Sequence, residues 1–117
     1  MEQKLILETI ETILEIIPKI IKKTLVVVEH FQTGQESLGL KEIVDLFDNY
    51  DGIVQAIVAL QQIGVSISLD IVNLQAIFKE MEKALSAQDF VLLSDLLEYE
   101  ICLSLENVYN ELKRMFF

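Results

Sequence analysis

The sequence predicts an all-α protein, an antiparallel up-down-up-down four-helix bundle whose first helix is kinked at Pro18. Apolar residues recur three and four residues apart along most of the chain, which is the period of an amphipathic helix. Glycines and short polar runs interrupt this period, and no pair of segments alternates as two pairing β-strands would. The 117 residues suit one domain, residues 1–117, that is large enough to bury its own core.

The first helix is predicted over residues 2–31. Its buried face is marked by isoleucines three and four residues apart: Ile6, Ile10, Ile13, Ile17 and Ile20. Glutamates recur at the same spacing on the opposite face, as expected of a solvated surface. Pro18 has no amide hydrogen to donate, so we expect a kink there, or a break at residues 16–17.

The second helix follows a polar loop at residues 32–37. Gly34 suits the left-handed conformation that closes a helix. Apolar residues keep the helical period from Leu40 to Ile63. Residues 48–52, Asp-Asn-Tyr-Asp-Gly, are poor helix formers, so the helix is expected to bend or to split at its midpoint.

The third helix is expected after a break at Gly64. Residues 65–69 alternate like a strand, but nothing else in the chain could pair with them, so they are interpreted as an extended connection. Ser68 is predicted to cap the third helix, which ends near residues 86–88. Its inner face comprises Ile71, Leu74, Ile77, Phe78, Met81 and Leu85.

The fourth helix is predicted to begin at an Asp89 cap and to run nearly to the C-terminus. One helical stripe is assigned to the core: Phe90, Leu93, Leu97, Ile101, Val108, Leu112 and Met115. Cys102, the single cysteine, lies among aliphatic residues and is interpreted as a core side chain.

Membrane insertion and export are not expected. Residues 52–69 carry no formal charge, but glutamines and serines interrupt them too often for a transmembrane span. The chain opens on Met1-Glu2-Gln3-Lys4 and not on the pattern of a secretory signal. A cytoplasmic protein is therefore predicted.

The net charge and the apolar content of the chain indicate which classes of molecule it could bind. Nineteen acidic and nine basic residues give a net charge of −10, which opposes binding to nucleic acid and to anionic membranes. Apolar residues make up 52% of the chain, more than the core of a small monomer needs. The surplus predicts a surface that another protein covers.

No catalytic residue, metal site or cofactor is predicted. A di-iron bundle needs two Glu-x-x-His pairs, but the one histidine, His30, has Val27 at that spacing. In a calcium loop with Gly52 at the sixth position, Phe47 and Val58 would occupy ligand positions. Nucleophilic catalysis would have only His30 as its imidazole base. An enzyme or metal-dependent protein is the least favoured hypothesis.

The predicted partner-binding residues belong to the fourth helix: Tyr99, Tyr109, Phe116 and Phe117. One helix face satisfies one core, so aromatic residues outside the core stripe are available to a second surface. The leading hypothesis is a non-enzymatic protein–protein interaction bundle that self-associates as a homodimer.

Residues 86–100 carry a resemblance. They combine a polar turn with Asp-Phe-Val-Leu-Leu and Asp-Leu-Leu-Glu-Tyr-Glu, a phrase that resembles small uncharacterised acidic helical-bundle proteins of Gram-positive bacteria. In architecture, acidic bundles of this size are also similar to flagellar and type III secretion export chaperones, which hold a client helix in an apolar groove. That similarity implies the alternative hypothesis, a chaperone-like binder of a client helix.

Overall fold

The computed structural model describes residues 3–117. This part of the chain has four helices and no strand, consistent with a helical bundle. The helices are α1 (Gln3–Gln32), α2 (Glu36–Gln62), α3 (Ile71–Ser86) and α4 (residues 90–116). Both α1 and α2 are continuous, so neither the break at residues 16–17 nor the split at residues 48–52 occurs. No helix within residues 3–117 combines the length and the apolar character that crossing a membrane requires.

Three residues with left-handed backbone close the first three helices. They are Gly34 (φ 79°), Gly64 (φ 97°) and Gln88 (φ 56°). In each case the next amide donates to the carbonyl five residues before it, which satisfies a carbonyl at the helix end. The predicted role of Gly34 is confirmed, and residues 65–69 form the expected connection outside any helix or strand, with a tight turn in which the Ile67 amide donates to the Val65 carbonyl at 3.0 Å.

Aspartates cap α3 and α4. Asp89 accepts the amide of the third residue after it at 3.1 Å, as predicted. The predicted Ser68 cap of α3 is wrong, because Asp70, directly before the helix, makes the equivalent 3.1 Å bond. Ser68 instead donates its amide, at 2.7 Å, and its hydroxyl to the Glu111 carboxylate on α4. Gln61 of α2 donates to two carbonyls of the same connection.

A π-helical turn interrupts α4, which is α-helical over Phe90–Asp95 and Cys102–Phe116 and π-helical over Leu96–Ile101. The Cys102 amide donates to the carbonyl of Leu97, five residues earlier. Four of the buried side chains in and around this stretch come at steps of four: Leu93, Leu97, Ile101 and Leu105. In an ideal α-helix each such step turns the side chain about 40° further round. The wider turn removes this drift and keeps all of them in the core.

The core lies between α1 and its neighbours. Close backbone approach joins α1 to α2, α1 to α4, and α3 to α4, whereas α2 and α3 meet mainly through side chains. Of the predicted α4 core positions, Leu93, Leu97, Ile101, Val108 and Leu112 are buried. Phe90 is half-buried, and the assignment of Met115 to the core is wrong, because Met115 is 40% exposed at the end of the helix. Cys102 is also buried, as predicted. Its burial raises the pKa of the thiol to about 11, helped by the nearby charges of Glu106 and Glu98, so the thiol is neutral near pH 7.

Gly39 and Gly52 of α2 form a matched pair for a stability test. A β-carbon on Gly39 would lie 2.7–2.9 Å from atoms of the Phe31 ring, whereas one on Gly52 would meet nothing within 4 Å. We expect Gly39→Ala to lower the free energy of unfolding by about 1–3 kcal/mol through overpacking. Gly52→Ala should raise it by about 0.5–1 kcal/mol, because alanine is the better helix former. Denaturant unfolding measures both, and equal stability of the two variants would contradict the close approach at Gly39.

Candidate functional site

Three aromatic rings form a row from α2 to α3. The Tyr50 ring centroid lies 6.4 Å from that of Phe47 on its own helix and 6.1 Å from that of Phe78 on α3. The Tyr50 and Phe78 rings are nearly parallel, with 12° between their planes. Tyr50 is buried, but Phe47 and Phe78 are only half-buried. The row is therefore covered at its centre and open to solvent at both ends.

An open cleft of about 240 Å³ lies over this row. It is lined by Phe47, Tyr50, Asp51, Val54, Gln75, Phe78 and Glu82. The aromatic and aliphatic side chains supply an apolar floor, and each of the two helices contributes one carboxylate. A concave apolar surface with a few polar groups is the usual composition of a binding site.

Tyr50 is held in place from α1. The Thr24 hydroxyl donates to the Ile20 carbonyl at 2.8 Å, so its only proton is committed. The Tyr50 hydroxyl, 2.6 Å from Thr24 Oγ1, must therefore donate to it. Burial raises the pKa of the Tyr50 phenol far above its usual range, although the bond to Thr24 opposes this shift. The central ring of the row is thus neutral and fixed by two helices.

Apolar stripes extend this site along both helices. The α2 stripe comprises Leu40, Val44, Phe47, Asp51, Val54 and Val58, and the facing α3 stripe comprises Ile71, Gln75, Phe78, Glu82 and Leu85. Successive members are three or four residues apart, so each set shares one helix face. Leu40 and Val44 are 39% and 63% exposed. We refer to the two stripes together as the α2–α3 groove.

The predicted partner-binding residues of α4 occupy different environments. Tyr99 and Phe117 are 63% and 67% exposed, whereas Tyr109 and Phe116 are half-buried and pack against the core. The Lys113 ammonium lies 5.8 Å from the centroid of the Tyr109 ring. Tyr99 and Phe117 are separated by about 27 Å along the helix at 1.5 Å per residue. The structure therefore does not bring the four together in one patch, and their role in binding stays a prediction.

Sequence reasoning missed the cleft as a site. It assigned Phe78 to the inner face of the third helix and counted Phe47 and Tyr50 only among the residues that keep the period of the second, but of the three only Tyr50 is fully enclosed. A usable signal was present, because Asp51 and Glu82 each follow one of the outer phenylalanines by four residues and therefore share its helix face. A carboxylate inside an apolar stripe indicates that the stripe reaches solvent.

The side chains that could serve in catalysis or metal binding do not form a cluster in residues 3–117. His30, in the last turn of α1, is half-buried, with Nδ1 2.6 Å from Glu42 Oε1 across the α1–α2 contact. Within residues 3–117 no three histidine, cysteine or acidic side chains are grouped so as to hold a metal ion.

Comparisons with known proteins identify a family. The family model described as Domain of unknown function (DUF8042) matches residues 8–111. No curated protein and no solved structure matches the chain. The matched range includes both stripes of the α2–α3 groove, so the groove belongs to the part of the chain that the family model covers.

The hydrogen bond between Thr24 and Tyr50 can be tested with a double-mutant cycle. Thr24→Val should lower the free energy of unfolding by about 1–3 kcal/mol, because it leaves the Tyr50 hydroxyl buried without an acceptor. Tyr50→Phe should cost about 0.5–1.5 kcal/mol. The double variant should cost less than the sum, by about 0.5–1.5 kcal/mol, because each single change already removes the shared bond. Strictly additive costs in denaturant unfolding would contradict the bond.

Proposed function

We propose that this chain, which belongs to the DUF8042 family, is a non-enzymatic protein–protein interaction bundle that binds a helix of a partner protein in the α2–α3 groove. The observation that carries the proposal is the aromatic row, whose outer rings Phe47 and Phe78 remain half-exposed. Aromatic side chains in well-packed pockets supply a large share of binding energy at interfaces. A partner that covers the cleft would remove these rings from water. The activity is chaperone-like in that the groove holds a helix of another protein.

The dimensions of the groove support a helical occupant. The α2 stripe runs from Leu40 to Val58, about 27 Å at 1.5 Å per residue, which matches a helix of about 18 residues. A helix bound in such a groove presents apolar side chains three, four and seven residues apart. Val44, 63% exposed, extends the apolar surface beyond the cleft itself.

The proposal includes an up-down-up-down order of the helices, a kink of α1 at Pro18 and a cytoplasmic location. Two contacts support the order. Phe31, at the end of α1, stacks on Phe90 at the start of α4 with centroids 4.9 Å apart, and Ser68, before α3, contacts Glu111 near the end of α4. The kink is supported by chemistry, because Pro18 cannot donate to the carbonyl four residues before it. In this order α2 and α3 are neighbours, and their facing stripes form the groove.

A second candidate function is self-association as a homodimer through α4. The exposure of Tyr99 and Phe117, at 63% and 67%, favours it, because large exposed aromatic side chains are common at interfaces. The net charge of −10 opposes contact between two copies. Dimer formation by this route should therefore strengthen as salt screens the repulsion.

The groove can be tested with Nile red, an uncharged fluorescent probe for apolar surface. The folded protein should bind the probe, and Val44→Gln together with Phe47→Ala should reduce the enhancement at least about twofold by removing apolar area from the groove. Val72→Gln is the control, since Val72 is 77% exposed on α3 but lies outside the stripe. Melting curves verify that each variant is folded. Equal probe binding by the groove variant and the wild type would count against this site.

Self-association through α4 can be separated from folding by three variants. Tyr99→Ala and deletion of residues 115–117 should each weaken association by about 1–2 kcal/mol in sedimentation experiments. Leu97→Ala should instead lower the free energy of unfolding by about 2–5 kcal/mol, because Leu97 is fully buried. A wild-type chain that remains monomeric at high salt, or a deletion that lowers the melting temperature without changing association, would rule out the α4 interface.

A further inference from the structure

The α2–α3 groove contains two acidic side chains and no basic one. Asp51 lies on the α2 stripe and Glu82 on the α3 stripe, so each wall of the cleft carries one carboxylate. Both residues are exposed. Asp51 Oδ2 accepts a 2.8 Å hydrogen bond from the side-chain amide of Gln55 on the same helix. Within residues 3–117 neither carboxylate forms an ion pair, so both are available to a bound partner.

These carboxylates restrict what can cover the apolar floor. A wholly apolar helix laid over Phe47 and Phe78 would remove water from Asp51 and Glu82 without replacing it. Burial of an unpaired charge is strongly unfavourable, and so is the loss of its hydrogen bonds. A lysine or arginine on the occupant would keep each carboxylate paired while the apolar side chains enter the cleft.

The charge of the whole chain acts in the same direction. A net charge of −10 attracts a basic segment and accelerates its encounter with the groove, whereas it repels a second copy of the same chain. Acids inside the groove and an acidic surface around it therefore select the same class of partner.

We infer that the occupant of the α2–α3 groove is a basic amphipathic helix of another protein, with lysine or arginine on both flanks of an apolar stripe. This inference rests on the proposed function and adds the chemistry of the partner. The apolar stripe contacts Phe47, Val54 and Phe78. Cations on one flank pair with Asp51 on the α2 wall, and cations on the other flank pair with Glu82 on the α3 wall.

Three designed peptides test this inference. Each has about 18 residues, the length of the α2 stripe. All share one apolar stripe, and their flanks carry lysine, glutamine or glutamate. In fluorescence anisotropy with the full chain at low salt, the lysine peptide should bind about tenfold more tightly than the glutamine peptide, and the glutamate peptide should bind most weakly. The preference for lysine should fall at least about threefold in roughly 0.5 M salt.

A charge-matched pair of variants assigns the preference to the groove. Asp51→Asn with Glu82→Gln should reduce the lysine preference at least about threefold, because it removes both carboxylates from the groove. Asp45→Asn with Glu80→Gln changes the net charge equally at exposed positions outside both stripes, and should retain most of the preference. Equal losses in the two double variants would overturn the role of Asp51 and Glu82.

The peptide results also separate this inference from the proposed function. If the lysine and glutamine peptides bind equally well and Val44→Gln weakens both, the groove binds helices without regard to charge, and only the inference fails. If no peptide binds the folded chain, the proposed function fails as well. Binding of the lysine peptide that Val44→Gln leaves unchanged would place the basic helix elsewhere on the acidic surface and overturn the inference.

Discussion

The hydrogen bond between Tyr50 and Thr24 joins the core to the candidate site. Both residues are buried, so their hydroxyl groups must find hydrogen-bond partners inside the protein. The Tyr50 hydroxyl donates to Thr24, and the Thr24 hydroxyl donates to the Ile20 carbonyl. The bond fixes α2 against α1 and sets the orientation of the Tyr50 ring. Phe47 and Phe78 pack on either side of that ring. The floor of the groove is therefore positioned by an interaction on its far side, inside the bundle.

The groove also reflects an uneven distribution of close packing. Gly39 has no side chain where the Phe31 ring lies, and this allows α1 and α2 to approach closely near that end. No comparable backbone approach joins α2 to α3. Large side chains fill the space between those two helices, and their outer edges remain in contact with solvent. Part of the apolar surplus of these two helices thus lies along this seam, while Val72 of α3 is exposed outside it.

Much of the fold could be predicted from the sequence, because the helices depend on local patterns. The isoleucine spacing of α1, the Gly34 and Gly64 terminations and the Asp89 cap each act within a few residues, and each was predicted correctly. The cap of α3 was wrongly assigned to Ser68, whereas Asp70 is the cap. Ser68 forms hydrogen bonds with Glu111 instead, and a contact between residues so far apart in sequence is not visible in a local pattern.

The remaining features depend on relations between helices. The π turn of α4 follows from fitting Leu93, Leu97, Ile101 and Leu105 into one core, which the sequence shows only as a run of four-residue steps. The open ends of the aromatic row depend on how far apart α2 and α3 lie, which no local pattern specifies. The same reason explains why the four predicted partner-binding residues of α4 do not share one environment. Tyr109 and Phe116 pack on core neighbours that the sequence alone could not identify.

The connection between α2 and α3 is fastened at two points, to α2 through the Gln61 side chain and to α4 through Glu111. At that end of the molecule it joins the two walls of the groove. At the other end α2 follows the three-residue loop from α1, and α3 leads through its own short turn into α4. No hydrogen bond between side chains links α2 to α3 there in residues 3–117. The two ends of the groove are thus held differently: side-chain hydrogen bonds hold the connection at one end, whereas the contact of Phe31 with Phe90 and the close approach at Gly39 hold the helices at the other.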